Sequence, residues 1–210
     1  MKKIFILLSI VLLIGCSNDL NEKLVQNIKV LETNDLLLSN ILINYDTYKE
    51  NTKGILKDYS HKRGEIIFNI GGKDYSAIDL EFTTKDELNT YREDVIKIFK
   101  DKINPFTKDV EIKISNTYDA GYNEWKYVFT KVIKKYETDD NSIGITNKRY
   151  TLEKINGKWK VINIDKFTDF FYDNMENKKG RTKKEAMKSM KYQTINNEKV
   201  EYIISFNPLD

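Results

Sequence analysis

"YTLEKINGKWKVINID", residues 150–165, is the stretch that decides the fold class. Asn156-Gly157 is the preferred pair for a two-residue type I′ turn, because both central positions must take positive φ. A two-residue loop sets Ile155 opposite Lys158. It follows that Lys154 faces Trp159, Glu153 faces Lys160 and Leu152 faces Val161. Side chains alternate along a strand, so Tyr150, Leu152, Trp159 and Val161 share one face, toward a core. Glu153 and Lys160 form an opposite-charge pair on the other face, worth ~0.2–1 kcal/mol.

Working outward, strands are expected over 110–115, about 123–137, about 145–155 and 158–165. The second is long. Trp125, Tyr127, Phe129 and Ile133 fall on one of its faces and Lys131 interrupts them, which predicts a bent or bulged strand. Upstream, "EIIFNIGGKDYSAIDLEF" reads as a hairpin around Gly71-Gly72. Ile78, Leu80 and Phe82 alternate there with Asp79 and Glu81 as a half-buried strand. "TKDE", 84–87, is a capping box. The helix it opens carries Leu88, Tyr91, Val95, Phe99 and Ile103 on one face until Pro105.

Residues 19–50 have helical periodicity. Leu20, Leu24, Ile28 and Leu31 recur at helical spacing, as do Leu37, Ile41, Tyr45 and Tyr48. "TND", 33–35, is expected to break this stretch into two helices with Thr33 or Asn34 as a cap. One continuous helix is the alternative. Near the end, a basic helix is expected over Thr182–Tyr192 and a strand over Val200–Phe206.

The fold class is therefore α+β: N-terminal helices, a hairpin, a helix and then an antiparallel meander. That order, with its closing Asn-Gly hairpin, is similar to the NTF2-like (cystatin-like α+β) superfamily. The resemblance implies a curved sheet wrapped on a long helix, forming a cone that in some members encloses a pocket. It covers roughly residues 19–170, within a single domain expected over 16–172, and leaves 173–210 as a basic extension with a short helix and strand.

The N-terminus carries an address. Lys2 and Lys3 precede an apolar run, Ile4–Ile14, broken only by Ser9. That run is about half of the ~20 residues a spanning helix needs and fits the core of a signal peptide. Leu13-Ile14-Gly15-Cys16 then resembles the bacterial lipobox. The resemblance implies diacylglyceryl transfer to the Cys16 thiol, removal of residues 1–15, and a chain lipid-anchored to the outside of a bacterial membrane. The small Gly15 lets a peptidase approach the backbone, and the thiolate is the nucleophile that takes the lipid.

This reading bounds the chemistry. The formal charge is +3, from 35 basic and 32 acidic residues. Processing removes two lysines and leaves +1, so no overall field favours nucleic acid. Cys16 is the only cysteine, so no disulfide forms and no thiol remains for catalysis. His61, the one imidazole, sits in "DYSHKRG". Its neighbour Ser60 cannot point at it as a triad requires, and a surface loop is expected. One His without a free Cys excludes the common zinc sites. "ETDDNSIG", 137–144, lacks calcium-loop spacing and reads as a turn. Asp119 and Glu124 in "YDAGYNEW" also lack motif spacing. Gly71-Gly72 is no phosphate fingerprint. No metal and no cofactor is expected.

Asp79 and Glu81 lie about 7 Å apart on one strand face, a spacing that could serve acid–base work or simply face solvent. If the implied pocket exists, Trp125, Tyr127, Tyr150 and Trp159 could line it; otherwise they are core. From Asn177 to Lys191 there are seven basic residues and one Glu. Lys178, Lys179, Arg181, Lys183, Lys184 and Lys188 could meet anionic lipid or wall polymer. The apolar Ala186, Met187 and Met190 could instead dock this helix on the domain.

No catalytic constellation emerges. The leading expectation is a non-catalytic lipoprotein, held to the membrane through Cys16, that binds a small ligand or an envelope protein. The alternatives are an envelope enzyme with a pocket carboxylate and tyrosine, or a structural protein that uses residues 177–191.

Overall fold

The computed structural model describes residues 2–58, 66–70, 73–76, 84–98, 109–121, 123–135, 143–171, 194–195 and 198–210. For residues 2–18, 66–70, 73–76, 85, 98 and 169–171 only the backbone is described. The elements are α1 (Lys2–Ser39), α2 (Tyr45–Asn51), β1 (Ile66–Ile70), β2 (Lys73–Ser76), α3 (Lys85–Ile98), β3 (Asp109–Asp119), β4 (Lys126–Lys135), β5 (Ile143–Ile155), β6 (Lys158–Phe171), β7 (Thr194–Ile195), β8 (Glu198–Lys199) and β9 (Tyr202–Phe206). The protein is α+β. Five strands form one antiparallel sheet in the order β6-β5-β4-β3-β9.

The β5–β6 hairpin has the register its turn dictates: Ile155 faces Lys158, Lys154 faces Trp159, Glu153 faces Lys160 and Leu152 faces Val161. Asn156 and Gly157 hold φ of 49° and 76°. Tyr150, Leu152 and Val161 enter the core, and Trp159 packs against its margin. Beyond Leu152 the register shifts, since Thr151 faces Asn163. Ile162 is the extra residue of a bulge. There Val161 turns its backbone outward, donating to Ile55 O at 2.8 Å and accepting from Lys57 N at 2.9 Å. The segment after α2 thus covers part of the β6 edge.

The expected bulge in β4 is placed differently. β4 pairs with β5 over ten consecutive residues without a shift. The irregularity lies in its other neighbour, β3, between Ile114 and Thr117. Two residues, Ser115 and Asn116, oppose Phe129 there, and Ser115 Oγ accepts from Phe129 N at 2.9 Å in place of a ladder carbonyl. The aromatic residues of β4 do share one face, and it is the one turned away from the helices. Val128, Thr130 and Val132 point at the helix layer, and Tyr127 and Phe129 lie on the opposite face. Phe129 is buried nonetheless, edge-on to Tyr118 and Tyr127. Aromatic content alone misleads here because both faces of this strand are covered.

Helix α1 lies against the other face, burying Leu24, Val25, Ile28, Leu31, Leu36 and Leu38. Asn21 fixes its position on the β3 bulge: its Oδ1 accepts from Thr117 N at 2.8 Å, and its Nδ2 donates to Asn116 Oδ1 at 3.3 Å. The expected break at "TND" does not occur; the helix continues to Ser39. Asn34 is buried in mid-helix, where its amide donates to Val30 O and accepts from Asn51 of α2. A side chain satisfied in this way has no reason to cap.

The helix ends instead at Ile41. Leu42 N donates to Leu37 O at 2.9 Å and Ile41 N to Leu38 O at 3.0 Å, a Schellman pattern. Ile41 holds φ 55° with a fully buried side chain. A β-branched residue pays about 1–2 kcal/mol for that backbone, which its burial of ~1.5–3 kcal/mol offsets. Asn44 then caps α2 by accepting from Thr47 N at 2.8 Å.

The capping box of α3 forms as expected. Glu87 N donates to Thr84 Oγ1 at 3.2 Å, and Thr84 N donates to Glu87 Oε2 at 2.8 Å. Leu88 and Val95 are buried. Thr84→Ala is expected to destabilise the fold by about 1 kcal/mol, measurable as a lower urea midpoint with an unchanged m-value.

The final strand, β9, joins the main sheet beside β3, with Ile112 facing Phe206 and Ile114 facing Ile204. The β1–β2 hairpin forms, with Ile70 facing Lys73. Ser60, His61, Gly71-Gly72, the 78–82 strand with Asp79 and Glu81, Phe99, Ile103, Pro105, most of the 137–144 turn and the whole 177–191 segment lie outside the described residues.

Candidate polar cleft between the helix and the sheet

A buried charge network sits where α1 crosses the sheet. Glu32 falls one turn after Ile28, on the face of α1 that meets the core, and it is 1% exposed. Three inward-facing sheet residues converge on it, Thr130 from β4 and Lys148 and Tyr150 from β5. Thr130 and Lys148 are directly paired across the strands. Glu32 Oε1 accepts from the hydroxyls of Thr130 and Tyr150, the latter at 2.9 Å. Its Oε2 accepts from Lys148 Nζ at 2.7 Å. Lys148 also reaches Asp35 Oδ2 at 3.3 Å.

Every charge here has an opposite or a hydrogen-bond partner, which a buried ion pair requires. Burial, and secondarily the nearby Glu32 and Asp35 carboxylates, push the Tyr150 phenol well above its usual range. It acts as a neutral donor.

The network opens on one side. A cleft of about 150 Å³ runs from Glu32 and Asp35 outward, past Ser39 on α1, to Lys134, Thr146, Lys166 and Thr168 on the sheet. Its floor is apolar, built from Leu36, Ile112 and Val132. Register explains the polar wall. Lys148 faces Lys166, Thr146 faces Thr168, and all four point to the same side as Tyr150. Three lysines and two carboxylates line the cleft. Among the described residues no cluster of His, Cys, Asp or Glu could hold a metal ion.

The four aromatic residues singled out by sequence are divided between the two faces of the sheet. Tyr150 is in the network. Tyr127 lies on the opposite face, with the Arg149 guanidinium 4.8 Å from its ring centre and Arg149 paired to Asp165 at 2.7 Å. Trp125 donates to Glu153, on that same outward face, at 3.3 Å. Trp159 lines a different groove, beside Lys23 of α1. Of the two carboxylates in "YDAGYNEW", Asp119 pairs with Lys126, and Glu124 is a turn residue with φ 54°. Cys16 lies within α1, three residues before Asp19.

The residues that do build the site, Glu32, Asp35, Thr130 and Lys148, went unremarked in the sequence. Two signals were available. Glu32 and Asp35 each follow a core residue, Ile28 and Leu31, by four positions. Carrying the hairpin alternation back from Leu152 and Tyr150 puts Lys148 inward.

No family model, no curated protein and no solved structure matches the chain. No helix among the described residues is long and apolar enough to cross a membrane, which does not bear on a lipid anchor.

Proposed function

We propose that the chain is an extracytoplasmic lipoprotein, tethered through Cys16, whose domain binds a small polar ligand carrying negative charge. The observation that carries the binding reading is the cleft itself. It is open, small and floored by apolar side chains, and its wall carries Lys134, Lys166, Thr146 and Thr168 around a buried, internally matched core of charge. A few placed polar groups over an apolar floor are what small-molecule sites generally have. The NTF2-like reading of the fold belongs with this proposal. It is supported by one long helix laid against an antiparallel sheet whose β3 and β6 strands are bulged.

Binding is favoured over acid–base catalysis by the state of Glu32. Its carboxylate already accepts from Thr130, Tyr150 and Lys148, and a base saturated in this way is poorly placed to take a substrate proton.

The test is titration of the mature chain with small monocarboxylates and inorganic phosphate, followed by protein NMR. Saturable shifts at Thr146, Lys166 and Thr168 are expected, with affinity reduced at least ten-fold in Lys166→Glu. Shifts that are absent, or that persist unchanged in that variant, would remove the proposal.

A further inference from the structure

A second concavity lies about twelve residues back along α1 from Asp35. It is an open groove of about 490 Å³ between α1, the segment after α2 and the β5–β6 turn. Lys23 on α1, Lys53 after α2, and Lys154 and Lys158 on either side of the turn all border it, and all four are exposed. Leu20 and the half-buried Trp159 complete its wall. The acidic groups nearby are Asp19, in the lining, and Glu50, which pairs with Lys53 at 3.6 Å. Four ammonium groups against two carboxylates make this a local excess of +2 on a nearly neutral chain.

Position along the helix gives the excess a direction. Cys16 precedes Leu20 by one helical turn, about 6 Å of rise. Positions 16, 20, 23 and 27 are spaced four, three and four apart, so they form one stripe of α1. Leu20, Lys23 and Asn27 on that stripe all line the groove. A chain held to a bilayer at Cys16 brings this groove near the headgroups.

We propose that the groove is a docking surface for the headgroups of anionic phospholipids. The lysines meet lipid phosphates, and Trp159 sits at the interfacial depth where indole rings accumulate. The lipid on Cys16 supplies attachment, and the lysines supply orientation, holding α1 and the sheet in one pose above the membrane. This inference rests on the anchoring part of the reading above and is independent of ligand binding in the cleft.

The experiment uses the full mature lipidated chain carrying Trp125→Phe, which leaves Trp159 as the sole tryptophan. The chain is reconstituted into vesicles of phosphatidylcholine alone or with one-third phosphatidylglycerol. With phosphatidylglycerol, Trp159 is expected to be shielded from acrylamide and quenched by lipids spin-labelled near the headgroup. Adding Lys23→Glu and Lys158→Glu, both exposed, is expected to lower the docking equilibrium constant by roughly 25-fold, about five-fold per lysine. Equal acrylamide quenching in the two membranes would overturn the proposal. So would shielding in neutral vesicles on addition of soluble polyphosphate, which would give the groove to a free polyanion. A mature chain whose intact mass lacks the lipid would also overturn it, while leaving the cleft to stand or fall on its own titration.

Discussion

Glu32→Ala is expected to lower the melting temperature by about 6–20 °C. The substitution strips Lys148, largely buried beside it, of its 2.7 Å partner, and leaves the Thr130 and Tyr150 hydroxyls with no carboxylate to donate to. Breaking a buried pair from one side costs about 3–5 kcal/mol, and a chain of this size shifts by about 2–4 °C per kcal/mol. The informative companion is Glu32→Leu with Lys148→Met. Removing both charges together replaces an ion pair with packing and is expected to recover most of the loss. Scanning calorimetry on the single and double variants checks both statements. A single variant within 2 °C of the parent would mean that the network is not a structural unit.

Cys16→Ser is expected to change the mature chain more completely than any substitution in the domain. A serine hydroxyl is not the thiolate nucleophile that lipid transfer uses. On the proposed lipobox reading the cut between Gly15 and Cys16 requires the lipid, so residues 1–15 are expected to stay on. Intact mass spectrometry of membrane and soluble fractions reads both consequences: loss of the diacylglyceryl increment and retention of the leader. A Cys16→Ser chain processed to the same length as the parent would sink the lipobox reading and, with it, the headgroup-docking proposal.

Local chemistry in this sequence is legible where a few residues dictate geometry by themselves. Asn156-Gly157 can form essentially one kind of turn, so four residue pairs followed from it and all four occur. Thr84 and Glu87 satisfy each other without outside help. What escaped reading depends on partners far away in the chain. Asn34 looks like a helix stop until Asn51, seventeen residues on, satisfies it. The bulge that bends β4's surroundings belongs to β3, because Ser115 can supply the acceptor that Phe129 N loses. Glu32 looks like any helix carboxylate until residues about a hundred positions later are placed against it. The site was therefore invisible as a motif, although its register was implicit in the hairpin.

The placement of β9 sets an order of events. Its five residues follow β3 by more than eighty positions, yet they flank it, and Leu209 packs on the core beyond them. A ribosome makes β3 more than eighty residues before it makes this strand. Until Tyr202–Phe206 emerges, β3 has an open hydrogen-bonding edge beside the forming core, the kind of edge that recruits other chains. The sheet can close on that side only once this distant segment has returned, so a chain in which Tyr202–Phe206 is displaced or clipped keeps one bare strand however well the rest has folded.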